Sequence, residues 1–244
     1  MANLRFFTDE PLTLTAMIQL SESAAAHATK ALRLSVGDQV ILFNGDGFNY
    51  DCELISIKKN EVIAKVIVSQ KVTNESPLPI HLLQGISSGD RMDYTIQKAV
   101  ELGVTSIQPI SSLRSVVKLS AERAEKRVVH WQNIAISACE QSGRAFAPKV
   151  HAPMSLQNWL AAHPINHSTR ILLNPIGAKR LADIVKPAGE IQLLIGAEGG
   201  LSQGEIDTAL SHDFQSIALG PRILRTETAA LTAISAMQTL WGDF

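Results

Sequence analysis

Two glycine-rich stretches near the carboxyl end hold the residues best suited to chemistry. Ile191 to Ile195 is an apolar run that ends in Gly196, Glu198, Gly199 and Gly200. Farther on, Leu219, Gly220 and Pro221 lead through Arg222, Ile223 and Leu224 to Arg225 and Thr226. The first run is too short for a helix and reads as a buried parallel strand feeding a glycine loop. Arg222 and Arg225 stand just before or at the amino end of the last helix, where the helix dipole disfavours a cation by roughly 0.3–1 kcal/mol. Something other than helix stability therefore selects positive charge there, unless the side chains turn away to pair with surface carboxylates. Neither loop has the GxxxxGK[ST] or GxGxxG spacing of a nucleotide site, and no GxSxG elbow or clear cysteine–histidine arrangement occurs. What remains is a neutral-to-cationic cofactor held by backbone groups and apolar walls, with Glu198 nearby.

The elements that must position these loops follow a regular rhythm. Ser202 and Glu205 form a capping box for a helix along Ile206, Ala209 and Leu210. Ser216 to Leu219 is a strand, and Thr226 caps a final helix ending at Trp241. Upstream, strands at Ile80 to Ile86, Val104 to Ile110 and Arg170 to Leu173 alternate with three helices. These run from Arg91 to Leu102, capped by Asp90 and stopped by Gly103; from Ser120 to near Gly143; and from Ala178 to Lys186. The expectation is an α/β fold, a mostly parallel sheet with helices on both faces, whose ligand lies at the carboxyl edge of the strands. The last helix carries Ala230, Ala233, Ile234, Met237 and Trp241 on one side with Leu231 and Leu240 beside them. So wide an apolar surface is either sandwiched in the core or shared with a second subunit.

The first seventy or so residues have a different character. Ser23 to Leu34 has helical spacing, with Ala24, Ala28, Ala31 and Leu32 inward and His27, Lys30 and Arg33 recurring on another face. Strands at Val40 to Phe43, Tyr50 to Ile57 and Val62 to Val68 are joined by tight turns at Asn44 to Gly47 and Lys58 to Asn60. Short strands without intervening helices suggest a closed or nearly closed β module. Arg5, His27, Lys30 and Arg33 form its candidate RNA patch, the alternative being a solvated helix face. Residues 1–72 are taken as this module, 73–79 as a polar, proline-containing linker and 80–244 as the α/β domain.

Composition sets the outer bounds. The 244 residues are 45% hydrophobic with net charge −1. No apolar run approaches the roughly eighteen residues of a membrane span, and the amino terminus lacks the pattern of a signal peptide. Cys52 and Cys139 lie too far apart in sequence to form a CxxC knuckle, and the seven histidines show no metal-ligand spacing, so no metal is expected and a cytoplasmic location is. The near-zero charge argues against indiscriminate coating of nucleic acid. A local excess does occur: Ser87 to Lys149 has nine basic residues, Arg91, Lys98, Arg114, Lys118 and Arg144 among them, against six acidic ones. That is the footprint of a polyanion gripped at one face, or of an ordinary salt-bridged helix.

Four segments together carry a family resemblance: LLIGAEGGLSQGEID, LGPRILRTETAALTA, DRMDYTIQKAVELGV and AISACEQSGR. They closely resemble the bacterial small-subunit ribosomal RNA methyltransferase E family of the SPOUT superfamily, in order from Arg5 to the last helix. The resemblance implies a PUA-like amino-terminal β-barrel, an α/β domain tied in a deep trefoil knot, S-adenosylmethionine as methyl donor, and a homodimer. It places the cofactor among Leu172, Leu173 and Asn174, the loop Ile195, Gly196, Glu198, Gly199 and Gly200, and the loop Leu219, Gly220, Ile223, Leu224 and Arg225. The implied substrate is 16S ribosomal RNA, within the 30S subunit or a late assembly particle, methylated on N3 of one uridine of the decoding region. Ala197 stands where the family often has proline, and Ser88 where a basic residue is common.

A sulfonium methyl is already electrophilic, so the enzyme must mainly align donor and acceptor. Uracil N3, however, has to lose a proton. Arg225 or Arg222 is the expected stabiliser of the resulting anion, and Glu198 or Glu227 the candidate base, with a solvent base equally open. Covalent catalysis by cysteine has little support, because Cys139 falls on an apolar helix stripe and Cys52 on a barrel strand. Two alternatives remain: a ribose 2′-O-methyltransferase of the same superfamily, and a non-catalytic RNA-binding assembly factor.

Overall fold

The computed structural model describes residues 4–58, 61–115, 117, 119–176 and 179–244. Residues 59 and 60 of the expected turn, Lys118 of the basic tally and Ala178 at the expected helix start lie outside the described residues. The chain divides into two units, Met1–Glu75 with Cys139–Ala147, and Ser76–Ala138 with Pro148–Phe244.

The first unit is built on strands β1 (Arg5–Phe7), β2 (Met17–Gln19), β3 (Gln39–Phe43), β4 (Phe48–Lys58) and β5 (Glu61–Lys71), in the sheet order β1-β3-β4-β5-β2. Alternation decides which side chains go inward: Cys52 and Leu54 on β4, and Val62, Ala64 and Val66 on β5, enter one core with Phe6, Leu42 and Ala28. The expected helix from Ser23 to Leu34 is shorter than its spacing suggests. Helix α1 (Glu22–Ala26) runs directly into a π-helical turn, His27–Ala31, closed by the amide of Leu32 donating to the carbonyl of His27, and Arg33 ends it at φ 56°. Ala24 and Ala28 are buried as expected, but the wider turn carries Ala31 and Leu32 out to solvent.

Two residues of the expected RNA surface prove to be internal. Arg5 is 7% exposed; its guanidinium donates to Asn49 Oδ1 at 2.7 Å and to the carbonyl of Arg144 at 2.9 Å, and lies 4.7 Å from the centre of the Phe43 ring. Arg144 is 5% exposed and gives two hydrogen bonds to Glu75 Oε2, at 2.9 and 2.7 Å. A buried guanidinium needs such partners, and meeting that need withdraws both side chains from solvent. His27, Lys30 and Arg33 stay exposed. Both cysteines are buried, and burial pushes the Cys52 thiol up to about 11 and the Cys139 thiol to about 12.

In the second unit the strands are β6 (Ile80–Gly85), β7 (Ser106–Ser111), β8 (Lys149–Val150), β9 (Met154–Ser155), β10 (Thr169–Leu173), β11 (Lys179–Arg180), β12 (Ile191–Ile195) and β13 (Gln215–Ala218). Their order is β11-β13-β10-β12-β6-β7-β8, with β9 also pairing β7, and every pairing among the described residues is parallel. The helices are α2 (Asp90–Glu101), α3 (Ala121–Ser142), α4 (Leu156–Ala162), α5 (Gln203–Ser211) and α6 (Thr226–Trp241); the end of α3 belongs to the first unit. Leu83, Leu172 and Leu194 point from the sheet into a cluster with Trp159 and Leu160 of α4 and Ala209 of α5. Helices α2 and α6 pack on each other, and α6 lies against β6 and β12. The central strands are thus mostly apolar because both faces are covered, with Gln84, Gln108 and Gln192 as buried exceptions.

Several local expectations are corrected. Gly89, at φ 57°, is the N-cap of α2, and Asp90 is its first helical residue. Between Lys179 and Asp183 the chain forms β11 and a 3₁₀ turn, Leu181–Asp183, because Arg180 pairs with Asp183 at 2.7 Å and Lys179 and Arg180 add to the edge beside β13. Helix α4, capped by Ser155, has no counterpart in the sequence reading. Ser202 and Glu205 do form the capping box. On α6, Ala230, Ala233, Ile234, Met237 and Trp241 are buried, whereas Leu240 is 46% exposed. Among the described residues no helix is long and apolar enough to cross a membrane, and no group of three or more His, Cys, Asp or Glu is placed to hold a metal ion.

Candidate active site

Strands β10, β12 and β13 end together at the carboxyl edge of the sheet, and a cavity of about 610 Å³ opens there. Leu172 and Leu173, which end β10, and Asn174 after them form one wall; Ile195, Gly196, Glu198 and Gly200 form the second side; Leu219, Gly220, Arg222, Ile223, Leu224 and Arg225 form the third. Every residue assigned above to the cofactor lines this cavity except Gly199. A Cβ on Gly199 would lie 2.7 Å from the carbonyl oxygen of Arg114, so this glycine serves a close approach to the 113–115 segment instead.

Glycine is required at two further points. A Cβ on Gly196 would fall 2.8 Å from the carbonyl carbon of Gly200, across the neck of the loop. One on Gly85, at the end of β6, would collide with the amide nitrogen of Ala197. The loop therefore rests on bare backbone, with no room for a side chain beneath it.

Thr226 does not cap α6. Arg225 occupies the N-cap without a side-chain bond, and the Thr226 hydroxyl instead donates to the carbonyl of Gly196 at 2.6 Å while accepting from Gln84 Nε2 at 2.8 Å. The ends of β6 and β12 and the start of α6 are thereby tied at one hydroxyl. Spacing alone suggested a helix cap because threonine at a helix start usually caps. The polar Gln84 inside a mostly apolar strand is the available signal of a buried partner.

One oxygen of Glu198 is fully engaged by its neighbours. Its Oε1 accepts from the Ser88 amide at 2.8 Å, the Ser88 hydroxyl at 2.9 Å and Arg91 at 3.2 Å. Burial alone would raise its pKa. Hydrogen bonds from the Ser88 amide, its own backbone amide, the Ser88 hydroxyl and Arg91 outweigh that and hold the carboxyl below the usual range. A carboxylate so held is a weakened base, and it clamps Arg91 at the cavity wall. Ser88, which stands where a basic residue was expected, is half of that clamp.

Arg91 and Arg114 also line the cavity, joining Arg222 and Arg225. Among the described residues the side chains of Arg114, Arg222 and Arg225 make no hydrogen bond or ion pair, so their charges are available to a ligand. Lys98 is not part of this group; it bonds Glu101 on its own helix at 2.7 and 3.0 Å. The second cavity carboxylate, Glu227, sits in the first turn of α6, and its Oε2 is buried without a hydrogen-bond partner. Apolar walls from Leu172, Ile195, Leu201 and Ile217 beside the loop backbone suit a ligand with a flat apolar body.

Known proteins match this arrangement along its length. The family model described as the RNA methyltransferase domain matches residues 74–238, and that of the RNA methyltransferase PUA domain matches residues 20–67. The ribosomal RNA small subunit methyltransferase E of Buchnera aphidicola (subsp. Acyrthosiphon pisum, strain APS) is 35% identical over 98% of this chain and 94% of its own. The crystal structure of a ribosomal RNA small subunit methyltransferase E from Neisseria gonorrhoeae, bound to S-adenosyl methionine, superposes with TM-score 0.92 and 43% identity over 99% of both chains. A putative methyltransferase from Legionella pneumophila, in complex with the bound cofactor SAM, gives TM-score 0.95 and 37% identity over 100% of both. The chain belongs to the ribosomal RNA small subunit methyltransferase E family.

Proposed function

We propose that this chain transfers a methyl group from S-adenosylmethionine to N3 of one uridine in the 16S RNA of the small ribosomal subunit. The observation that carries the reading is the cavity itself: three glycine- or proline-containing strand ends around an apolar pocket, with four arginines on its wall. When bound, S-adenosylmethionine supplies an electrophilic methyl. The protein's part is to hold donor and acceptor in line and to favour the acceptor's anion. Leu172 to Asn174, Ile195 to Gly200 and Leu219 to Leu224 enclose the carrier. Arg225, at the N-cap of α6, faces the negative charge that develops on the uracil carbonyl oxygens as the N3 proton passes to solvent, and Arg222 supports it; the carrier departs as S-adenosylhomocysteine. Arg91, clamped by Glu198, and Arg114 receive RNA phosphates, while His27, Lys30 and Arg33 on the π-helical turn do so in the first unit.

The remaining parts of the reading follow family membership. The first unit is the PUA-like barrel, the second is a SPOUT domain with a trefoil knot, and the boundary falls within the 73–79 linker. The enzyme works in the cytoplasm as a homodimer, for which the exposed Tyr94 and Leu240, on helices that pack together, offer apolar surface. The test is transfer of labelled methyl to small subunits from a strain lacking the enzyme, followed by mass spectrometry of the nucleosides. N3-methyluridine is the expected product. A ribose-methylated nucleoside, or saturable cofactor binding without transfer, would overturn the reading.

A further inference from the structure

The capping box at the start of α5 occupies only one oxygen of its glutamate. Glu205 Oε2 accepts from the Ser202 amide and from the Ser202 hydroxyl, both at 2.8 Å, and these bonds complete the cap. The other oxygen, Oε1, accepts from the backbone amide of Leu113 at 2.9 Å, 92 residues away along the chain. Each oxygen therefore faces a backbone amide, a group that can only donate. A glutamine offers one acceptor and one donor at the same two places, so it could complete the cap or hold Leu113 but not both. Glutamate and glutamine serve a capping box alike. The cap alone therefore does not account for a carboxylate at this position, and the amide of Leu113 does.

The second oxygen holds the turn that carries Arg114. Leu113 is 80% exposed, so packing of its own side chain does little to fix that turn. On the far side of Arg114 the Ser115 amide donates to the carbonyl of Ser112 and the Ser115 hydroxyl to the carbonyl of Ile86, both at 3.0 Å. Gly199 lies against the carbonyl of Arg114 itself. Glu205 adds the hold on the near side, at the residue just before the arginine. Arg114 lines the cavity and, on the reading given under Proposed function, receives an RNA phosphate. We propose that Glu205 is a positioning residue for RNA binding: it fixes the backbone at Leu113 so that the guanidinium of Arg114 is presented at the cavity wall, beside the glycine loop. Ordering a long side chain opposes binding, and a fixed backbone root leaves less to be ordered when the phosphate arrives.

The test uses the full-length protein and small-subunit particles from a strain lacking the enzyme. Particle affinity is titrated at several salt concentrations, and S-adenosylmethionine affinity is measured by calorimetry. Arg114→Ala is expected to weaken particle binding by roughly ten- to a hundredfold and to reduce the salt slope by about one. Glu205→Gln, which can keep the cap, is expected to reproduce a large part of both changes while S-adenosylmethionine affinity stays within about twofold. Placed in the Arg114→Ala background, Glu205→Gln is expected to cost nothing further, because it acts through that arginine. Ser202→Ala weakens the cap without touching Leu113, and is expected to leave the salt slope unchanged. An unchanged slope in Glu205→Gln, a further loss in the double variant, or an equal loss in Ser202→Ala would each overturn the assignment. So would a fall in S-adenosylmethionine affinity as large as that in particle affinity. If Arg114→Ala itself bound particles like the wild type, the phosphate role of Arg114 would fail, and the inference with it.

Discussion

The hydroxyl of Thr226 donates to the carbonyl of Gly196 across 2.6 Å, joining the first residue of the last helix to the first glycine of the loop after β12. The same hydroxyl accepts from Gln84, which is fully buried. Replacing it with a methyl leaves two buried polar groups short of a partner. Thr226→Val is expected to lower unfolding free energy by roughly 1–3 kcal/mol, and Thr226→Ser by well under half of that. Urea denaturation of the three proteins measures both, and equal losses would show that the methyl group matters as much as the hydroxyl.

Arg225 separates binding from chemistry. Its guanidinium has no partner among the described residues and lines the cavity at the helix start. Arg225→Ala is expected to slow methyl transfer by about 10²–10³-fold, as loss of a preorganised charge does, with a much smaller change in cofactor affinity. Calorimetry set beside single-turnover transfer decides it; matched losses in both would remove the assigned role.

The Glu198 clamp makes stability depend on pH in a definite direction. Its carboxyl is held below the usual range in the folded protein, against about 4.3 when unfolded. Depression of the folded pKa means that the contribution is complete above the unfolded value and is lost as pH falls through the folded one. The stability lead of the wild type over Glu198→Gln is therefore expected to be constant near neutrality and to shrink below about pH 4. Urea melts across that range check it, and a lead that grew on acidification would contradict the clamp.

Two arginine or lysine positions of the first unit should behave in opposite ways. Arg144 is buried against Glu75, so Arg144→Met is expected to cost roughly 3–5 kcal/mol of stability by leaving a carboxylate unpaired. Lys30 is exposed on the π-helical turn, so Lys30→Ala is expected to leave stability unchanged and to reduce the salt slope of RNA binding by about one. Chemical denaturation and binding titrations at several salt concentrations distinguish them.

The strands are readable from sequence because burial on both faces writes itself as short, mostly apolar runs, as in Ile191, Leu193, Leu194 and Ile195. The glycine loops were readable because only backbone close approach explains Gly196 beside Gly200. Charge was harder to interpret. Arg5 and Arg144 have the composition of an RNA surface, yet their acceptors, Asn49 and Glu75, lie 44 and 69 residues away along the chain. No local pattern reports such a pairing. Ser88 and Glu198 are likewise 110 residues apart, so the clamp that fixes Arg91 has no trace in either segment alone. Asp90 and Thr226 were misread for a related reason: each is a good capping residue, but Gly89 and Arg225 already occupy the caps.

The two cysteines of the first unit are buried thiols whose acidity is suppressed to about 11 and about 12. At neutral pH neither presents the thiolate that alkylating reagents and oxidants attack. Modification must therefore wait for the surrounding packing to come apart, and its rate becomes a clock for spontaneous opening of that unit. Iodoacetamide can time these excursions in the unmutated protein, with no reporter group added.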